Sequence, residues 1–314
     1  MHGLAVVAIG GNSLVRGDDA SVDAARAALA ETCAPLAALA ADGWMLAITH
    51  GNGPQVGFGL LRVEAAVQVA PRQPLDVVGA ETQGAIGYLL QQTLGAALAA
   101  RGVRRPVATV VTQVVVDPHD PAFAHPTKPI GPFYHPVEAD ARRRLGWIMV
   151  EDAGRGWRRV VPSPEPLEIV EVDAIRALVA SGVTVIAAGG GGIPVVQRER
   201  GYVGVEAVID KDLAAAVLAR GLGARLLVIS TAVEHVVLHY GTPRARPLGR
   251  VALADVKRYL AEGHFPPGSM GPKITAAVRF LEGGGEAVVI TAPWALARAL
   301  AGETGTHIVP DGRA

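Results

Sequence analysis

Leu4-Ala-Val-Val-Ala-Ile-Gly-Gly-Asn12 decides how the rest of the chain is read. A short, unbroken apolar run has the pattern of a strand buried on both faces, and the glycines that end it predict a tight turn. The arrangement recurs at 44–49, which ends in His50-Gly51-Asn52-Gly53-Pro54, and at 184–188, which ends in the glycines 189–192. Working outward, helical patterns fall at 21–41, with Ser21 as a plausible N-cap, at 54–69, and at 82–100, where Gly102 is the stop. The β-branched stretch 106–116 predicts one strand. Later segments predict helices at 172–180, 210–220, 253–261, 293–300 and within 268–281, and strands at 184–188, 225–229, 287–290 and 307–309. Such alternation implies a mostly parallel sheet covered on both faces by helices. Residues 117–166 break the rhythm, being dense in proline from Pro118 to Pro136 and rich in arginine at 154–159. They read as an inserted, partly β subdomain.

The 314 residues are 50% hydrophobic and 18% charged, which excludes disorder as the main state and leaves room for one large α/β unit or two domains. A formal net charge of zero argues against a nucleic-acid partner. No apolar run approaches the roughly 18–20 residues of a membrane span, and a strand starting so close to Met1 leaves no place for a signal peptide. The single cysteine, Cys33, excludes an internal disulfide framework and reads as a small core residue. These features predict a cytoplasmic protein with no membrane partner.

Glycines at the ends of strands let backbone N–H groups approach an anion closely, and three such turns favour a phosphorylated ligand. The familiar phosphate motifs are missing: there is no Gly-Lys pair for a P-loop, no Gly-x-Gly-x-x-Gly opening a helix, no His-Glu-x-x-His and no Gly-x-Ser-x-Gly. The lysines offer another route. Only 4 of the 29 basic residues are lysine. Lys128 lies in Pro126-Thr-Lys-Pro-Ile-Gly-Pro-Phe, Lys211 in Ile209-Asp-Lys-Asp and Lys273 in Gly268-Ser-Met-Gly-Pro-Lys. Lys211 and Lys273 fall at helix starts, where a cation opposes the helix dipole, so their placement suggests a task other than helix stability. Phosphoryl transfer needs cations and N–H donors around the moving group. Lys257, in an amphipathic stretch, reads as an ordinary surface lysine. Asp210 is placed to orient the lysines, whereas Asp212 reads as a helix cap. No general base is needed if the nucleophile arrives ionised, and a nucleotide's Mg2+ would be held by phosphate oxygens and water, with no protein metal ligands.

Longer segments are similar to those of carbamate kinases, a branch of the amino acid kinase family. They are Val7-Ala-Ile-Gly-Gly-Asn-Ser-Leu, Thr49-His-Gly-Asn-Gly-Pro-Gln-Val-Gly, Thr127-Lys-Pro-Ile-Gly-Pro-Phe-Tyr, Gly156-Trp-Arg-Arg-Val-Val-Pro-Ser-Pro, Ala187-Ala-Gly-Gly-Gly-Gly-Ile-Pro-Val-Val, Gly204-Val-Glu-Ala-Val-Ile-Asp-Lys-Asp and Gly268-Ser-Met-Gly-Pro-Lys-Ile. The resemblance implies a three-layer α/β/α sandwich forming a homodimer, a single domain over 1–314 with residues 117–166 as a protruding lid, and a nucleotide-binding part over 184–314. It implies reversible transfer between ATP and carbamate, giving carbamoyl phosphate and ADP with Mg2+, run towards ATP in arginine catabolism. The transition-state lysines would be Lys128, Lys211 and Lys273, with Asp210 organising them. Gly10, Gly11, Asn12, Gly51, Asn52 and Gly53 would surround carbamate and the phosphoryl group. Gly189, Gly190, Ser230, Ala232, Tyr240, Met270 and Gly271 would meet the nucleotide. Two departures from the wider family stand out. Ala8 occupies a position where other amino acid kinases carry a lysine, which throws weight onto Lys128. Ala232 replaces an acid near the ribose. His235 and His239 read as strand surface. A kinase of another small carboxylate or carbamoyl substrate, or a non-catalytic nucleotide or carbamoyl phosphate sensor, stays open as an alternative.

Overall fold

A computed structural model describes residues 2–10, 21–152 and 154–313. Its centre is an eight-stranded sheet in the spatial order Arg250–Ala252, Thr306–Val309, Ala287–Thr291, Leu226–Ser230, Gly3–Ile9 (β1), Trp44–His50 (β2), Thr184–Ile186 and Val107–Thr109. Neighbouring strands run parallel except Ala287–Thr291 against Thr306–Val309. β1 shows why the opening stretch was legible. Residues 5–9 are fully buried, and the period of two sends alternate side chains to opposite faces. Ala5, Val7 and Ile9 join a core with Leu29, Cys33 and Leu36 of helix α1 (Val22–Ala41) and Leu90 and Leu94 of helix α3 (Leu75–Ala100). Val6 and Ala8 join a second core with Ala215 and Leu218 of helix α6 (Lys211–Leu222) and Ile274 and Val278 of helix α8 (Met270–Glu282). Three layers result, as the alternation predicts.

Cys33 is fully buried, and burial pushes its thiol up to about 12. Ser21 caps α1 through its side chain, which accepts from Ala24 N at 3.2 Å. Contrary to the sequence-based expectation, α1 is long and apolar enough to cross a membrane by length and composition, alone among the described helices. Here its apolar face lies in the core between the sheet and α3.

Several boundaries move for physical reasons. Helix α2 (Gly53–Ala65) ends before residue 69. α3 starts at Leu75 rather than residue 82, with the extended Pro74 as its N-cap. Glycines dilute its helical pattern, yet one is required: a Cβ on Gly87 would lie 2.3 Å from the Thr109 methyl. The stretch 106–116 is two strands, Val107–Thr109 in the central sheet and Gln113–Val115 in a four-stranded sheet with Glu168–Ile169, Ile193–Arg198 and Gly201–Gly204. The break falls at Thr112, whose hydroxyl donates to Val110 O and whose backbone is claimed by α3. The third glycine turn does not open a helix: Gly189–Gly191 forms one 3-10 turn that leads into the strand Ile193–Arg198.

Within 117–166 lies a three-stranded antiparallel sheet, Lys128–Tyr134, Trp157–Val161 and Met149–Glu151, with helix α4 (Pro136–Arg143). Arg142 ties it down: its guanidinium pairs with Glu64 of α2 at 2.6 Å and stacks 4.4 Å from the Tyr134 ring centre. α2 also meets this sheet backbone to backbone, since a Cβ on Gly57 would lie 1.9 Å from the Gly131 Cα.

Candidate active site

The carboxyl ends of β1, β2 and Leu226–Ser230 face one crevice; the chain leaves β1 towards β2 on one side and leaves Leu226–Ser230 towards the strands of the opposite side, the usual place for a ligand in an open α/β sheet. A cavity of about 840 Å³ opens there. Its walls include Gly51, Asn52 and Gly53 after β2, Lys128 and Gly131 from the small sheet, Gly190, Asp210 and Lys211, and Lys273. A second cavity of about 220 Å³ shares Ser269 and Lys273 with it and is otherwise walled by residues such as Ala232, Tyr240, Phe265 and Met270.

Between the glycine turns the charged groups form one cluster. Asp210 is the N-cap of α6: its Oδ1 accepts from Asp212 N at 2.9 Å, and its Oδ2 accepts from Lys128 Nζ at 2.6 Å. Asp212 is buried, and its two oxygens accept from Lys211 Nζ at 2.5 Å and Lys273 Nζ at 2.9 Å. The sequence-based reading of Asp212 as a mere cap is therefore corrected. Asp210 caps the helix and holds one lysine; Asp212 holds the other two. Burial alone would raise the Asp212 carboxyl, but the adjacent Lys211 and Lys273 bring it down to about 2. Burial pulls the Lys211 ammonium below its usual value against the opposing pull of Asp212. Lys273 is also desolvated, but Asp212 outweighs this and raises it. Three ammonium groups thus face two carboxylates and leave a local positive charge for an anion.

The sequence-predicted residues distribute as follows. Gly51, Asn52, Gly53, Lys128, Asp210, Lys211 and Lys273 meet at the large cavity, and Ala232, Tyr240 and Met270 at the second. Gly10 closes against the neighbouring strand, where a Cβ would lie 2.9 Å from Ser230 O, and Ser230 is itself buried. Gly271 packs against Pro266 O in the first turn of α8. Gly11 and Asn12 lie outside the described residues. Gly189 and Gly190 sit on the β2 side, away from the second cavity: Gly190 lines the large one against Asn52, and Gly189 covers the His50 ring. His235 and His239 are not strand surface. His235 is half-buried in the wall of the second cavity with Nδ1 3.2 Å from Leu248 O, and His239 sits at φ +55 with its ring edge-on to His264 at 4.5 Å. Lys257 is an exposed lysine paired with Glu282, as expected.

Sequence reasoning missed a set of buried polar groups behind the site: His50, Thr82, Gln83 and Thr112. His50 Nδ1 lies 3.0 Å from Gly51 O, and a carbonyl can only accept, so Nδ1 carries the proton. Burial pushes the imidazole down to about 4, with Lys211 nearby adding to the effect, so the ring is neutral at pH 7. The signal in the sequence was faint: Thr82-Gln83 belongs to one of two polar runs in α3, and the other, Gln91-Gln92-Thr93, reads the same way.

Known proteins can now be set beside this geometry. A match to the amino acid kinase family spans residues 3–292. A carbamate kinase-like protein of Escherichia coli is 54% identical over 98% of this chain and 99% of its own length. The carbamate kinase of Thermococcus kodakarensis is 49% identical over 97% of this chain and 98% of its own. The solved structure of carbamate kinase from Giardia lamblia bound to AMP-PNP is 41% identical, with a TM-score of 0.90, covering 98% of this chain and 99% of that one. With the family match over residues 3–292 and these relatives 41–54% identical along nearly the whole chain, the chain belongs to the amino acid kinase family, in its carbamate kinase branch.

Proposed function

We propose that the chain transfers a phosphoryl group reversibly between carbamoyl phosphate and ADP, giving carbamate and ATP. The observation that carries this reading is the cluster of Lys128, Lys211 and Lys273 on two carboxylates between the glycine turns, with Lys273 shared by both cavities. Carbamoyl phosphate fits the large cavity and ADP the second, with its phosphates directed at Lys273. A β-phosphate oxygen of ADP attacks phosphorus as the bond to the carbamoyl oxygen breaks. Carbamate leaves as an anion, so no proton moves and no general base is required. Negative charge spreads over the equatorial oxygens of the transferring group, where compact ammonium groups and the N–H groups of the turns stabilise it without reorganising. Paired and retained lysines of this kind support catalysis over a sensor role.

Magnesium belongs to the same reading. Among the described residues no group of three His, Cys, Asp or Glu side chains is arranged to hold a metal, and the site's two carboxylates are both engaged by lysines. That donor set suits an ion carried on the nucleotide phosphates and water, where it neutralises phosphate charge. We extend the proposal to residues 117–166 as a lid that delivers Lys128, to a homodimer, and to the cytoplasm. The test is ATP formation from carbamoyl phosphate, ADP and magnesium, with acetyl phosphate in parallel. Faster ATP formation from carbamoyl phosphate supports the reading; no ATP above background overturns it.

A further inference from the structure

Behind the glycine turns, neighbouring residues of α3 reach both walls of the large cavity. Thr82 Oγ1 accepts from Asn52 Nδ2 at 2.8 Å and donates to Gly79 O at 2.7 Å. Gln83, buried to 2% exposure, uses both ends of its amide. Its Nε2 donates to Gly189 O at 3.0 Å and to Thr112 O at 3.1 Å, and its Oε1 accepts from Thr112 N at 2.8 Å. Four of the five residues in the segment it grips, 188–192, stand at positive φ. Ala188 stands at φ +50, followed by Gly190 at +68, Gly191 at +93 and Gly192 at +86. A non-glycine residue in the left-handed region persists only where its surroundings enforce it. The enforcement is visible: Thr49 Oγ1 donates to Ala188 O at 2.7 Å, Ala188 N donates to Thr112 Oγ1 at 2.9 Å, and Gln83 holds the next carbonyl. Gly190, at the crest of this turn, lines the cavity against the Asn52 amide, with Lys211 on the same wall.

We infer that Gln83 is a positioning residue for phosphoryl transfer: it clamps the 188–192 turn so that the Gly190 wall stays in register with the Asn52 wall, which Thr82 holds from the same stretch of helix. The inference rests on the reaction proposed above. It concerns the large cavity alone, because none of these residues lines the second one. Loss of the clamp should therefore lower kcat and leave nucleotide binding untouched. A turn displaced by about 1 Å costs on the order of a hundredfold in rate.

Two variants test it. Gln83→Glu keeps the acceptor for Thr112 N but turns an oxygen towards two carbonyls; Gln83→Met removes all three bonds at similar volume and stands in if the first does not fold. The measurements are kcat and KM for ATP formation, ADP affinity by calorimetry, and hydrogen exchange of peptides covering 188–192. The expected result is a fall in kcat of at least about tenfold, with ADP affinity within about twofold of wild type and faster exchange at the turn. A folded variant with wild-type kcat, equal losses in kcat and ADP affinity, or unchanged exchange overturns the inference. A wild-type chain that makes no ATP sinks the reaction instead, and the exchange measurement still decides whether Gln83 holds the turn.

Discussion

Asp212 holds two lysines on one buried carboxylate, and it fills a role that its position in the sequence gives to Asp210. Local sequence shows an acid in the first turn of a helix; only the approach of α8 to α6 brings Lys273 onto it. The lysines themselves were legible, because a cation placed at a helix start against the dipole needs a reason. Asp212→Asn leaves two buried ammonium groups short of a counter-charge and should destabilise the fold by about 3–5 kcal/mol, read as a lower denaturant midpoint at unchanged slope. The sign of its pH dependence follows from a carboxyl whose folded value is depressed. The stabilisation is complete above the ordinary value of 3.8 and is lost as pH falls through about 2. Lys128 lines the large cavity and not the second one. Lys128→Ala should therefore reduce kcat by about a hundredfold or more while ADP affinity measured by calorimetry holds.

At the scale of elements, β1 and the glycine turn after β2 could be read directly, because burial on both faces writes itself into consecutive residues. The division of 106–116 into two strands could not, since Gln83 imposes it from 29 positions away in sequence. The start of α3 was hidden because Gly79 and Gly84 dilute its helical pattern; of its four glycines only Gly87 packs closely, against Thr109 of the sheet. α2 depends on the same economy of space. Gly57→Ala would drive a methyl into the Gly131 backbone, pushing the small sheet and Lys128 away from the cavity. The expected outcome is about 3 kcal/mol of destabilisation together with reduced turnover. His50 gives β2 a pH signature. Its imidazole, ordinarily near 6.5, sits at about 4 when folded, so between those values the unfolded chain binds a proton that the folded chain refuses. Stability should fall by about 3 kcal/mol as pH drops across that window, and His50→Asn, which keeps a donor for Gly51 O, should flatten the dependence.

For the whole molecule, the sheet order sets the chemistry. Putting β1 at the centre aligns the carboxyl ends of three adjacent strands on one crevice, and α6 and α8 deliver lysines to it from the layer beneath. The small sheet brings Lys128 to the same place from the opposite side, which answers the alanine at position 8, buried in β1 with no cation of its own. The composition makes the same point: in a chain that otherwise uses arginine, three of the four lysines pair with Asp210 or Asp212 at the large cavity, and the fourth, Lys257, is an exposed lysine paired with Glu282. The most direct measurement is kcat for ATP formation from carbamoyl phosphate and ADP in wild type and Lys211→Arg, side by side, with folding checked by thermal unfolding. The account predicts turnover by the wild type and a loss of about a hundredfold or more in a folded variant; equal turnover in the two would contradict it.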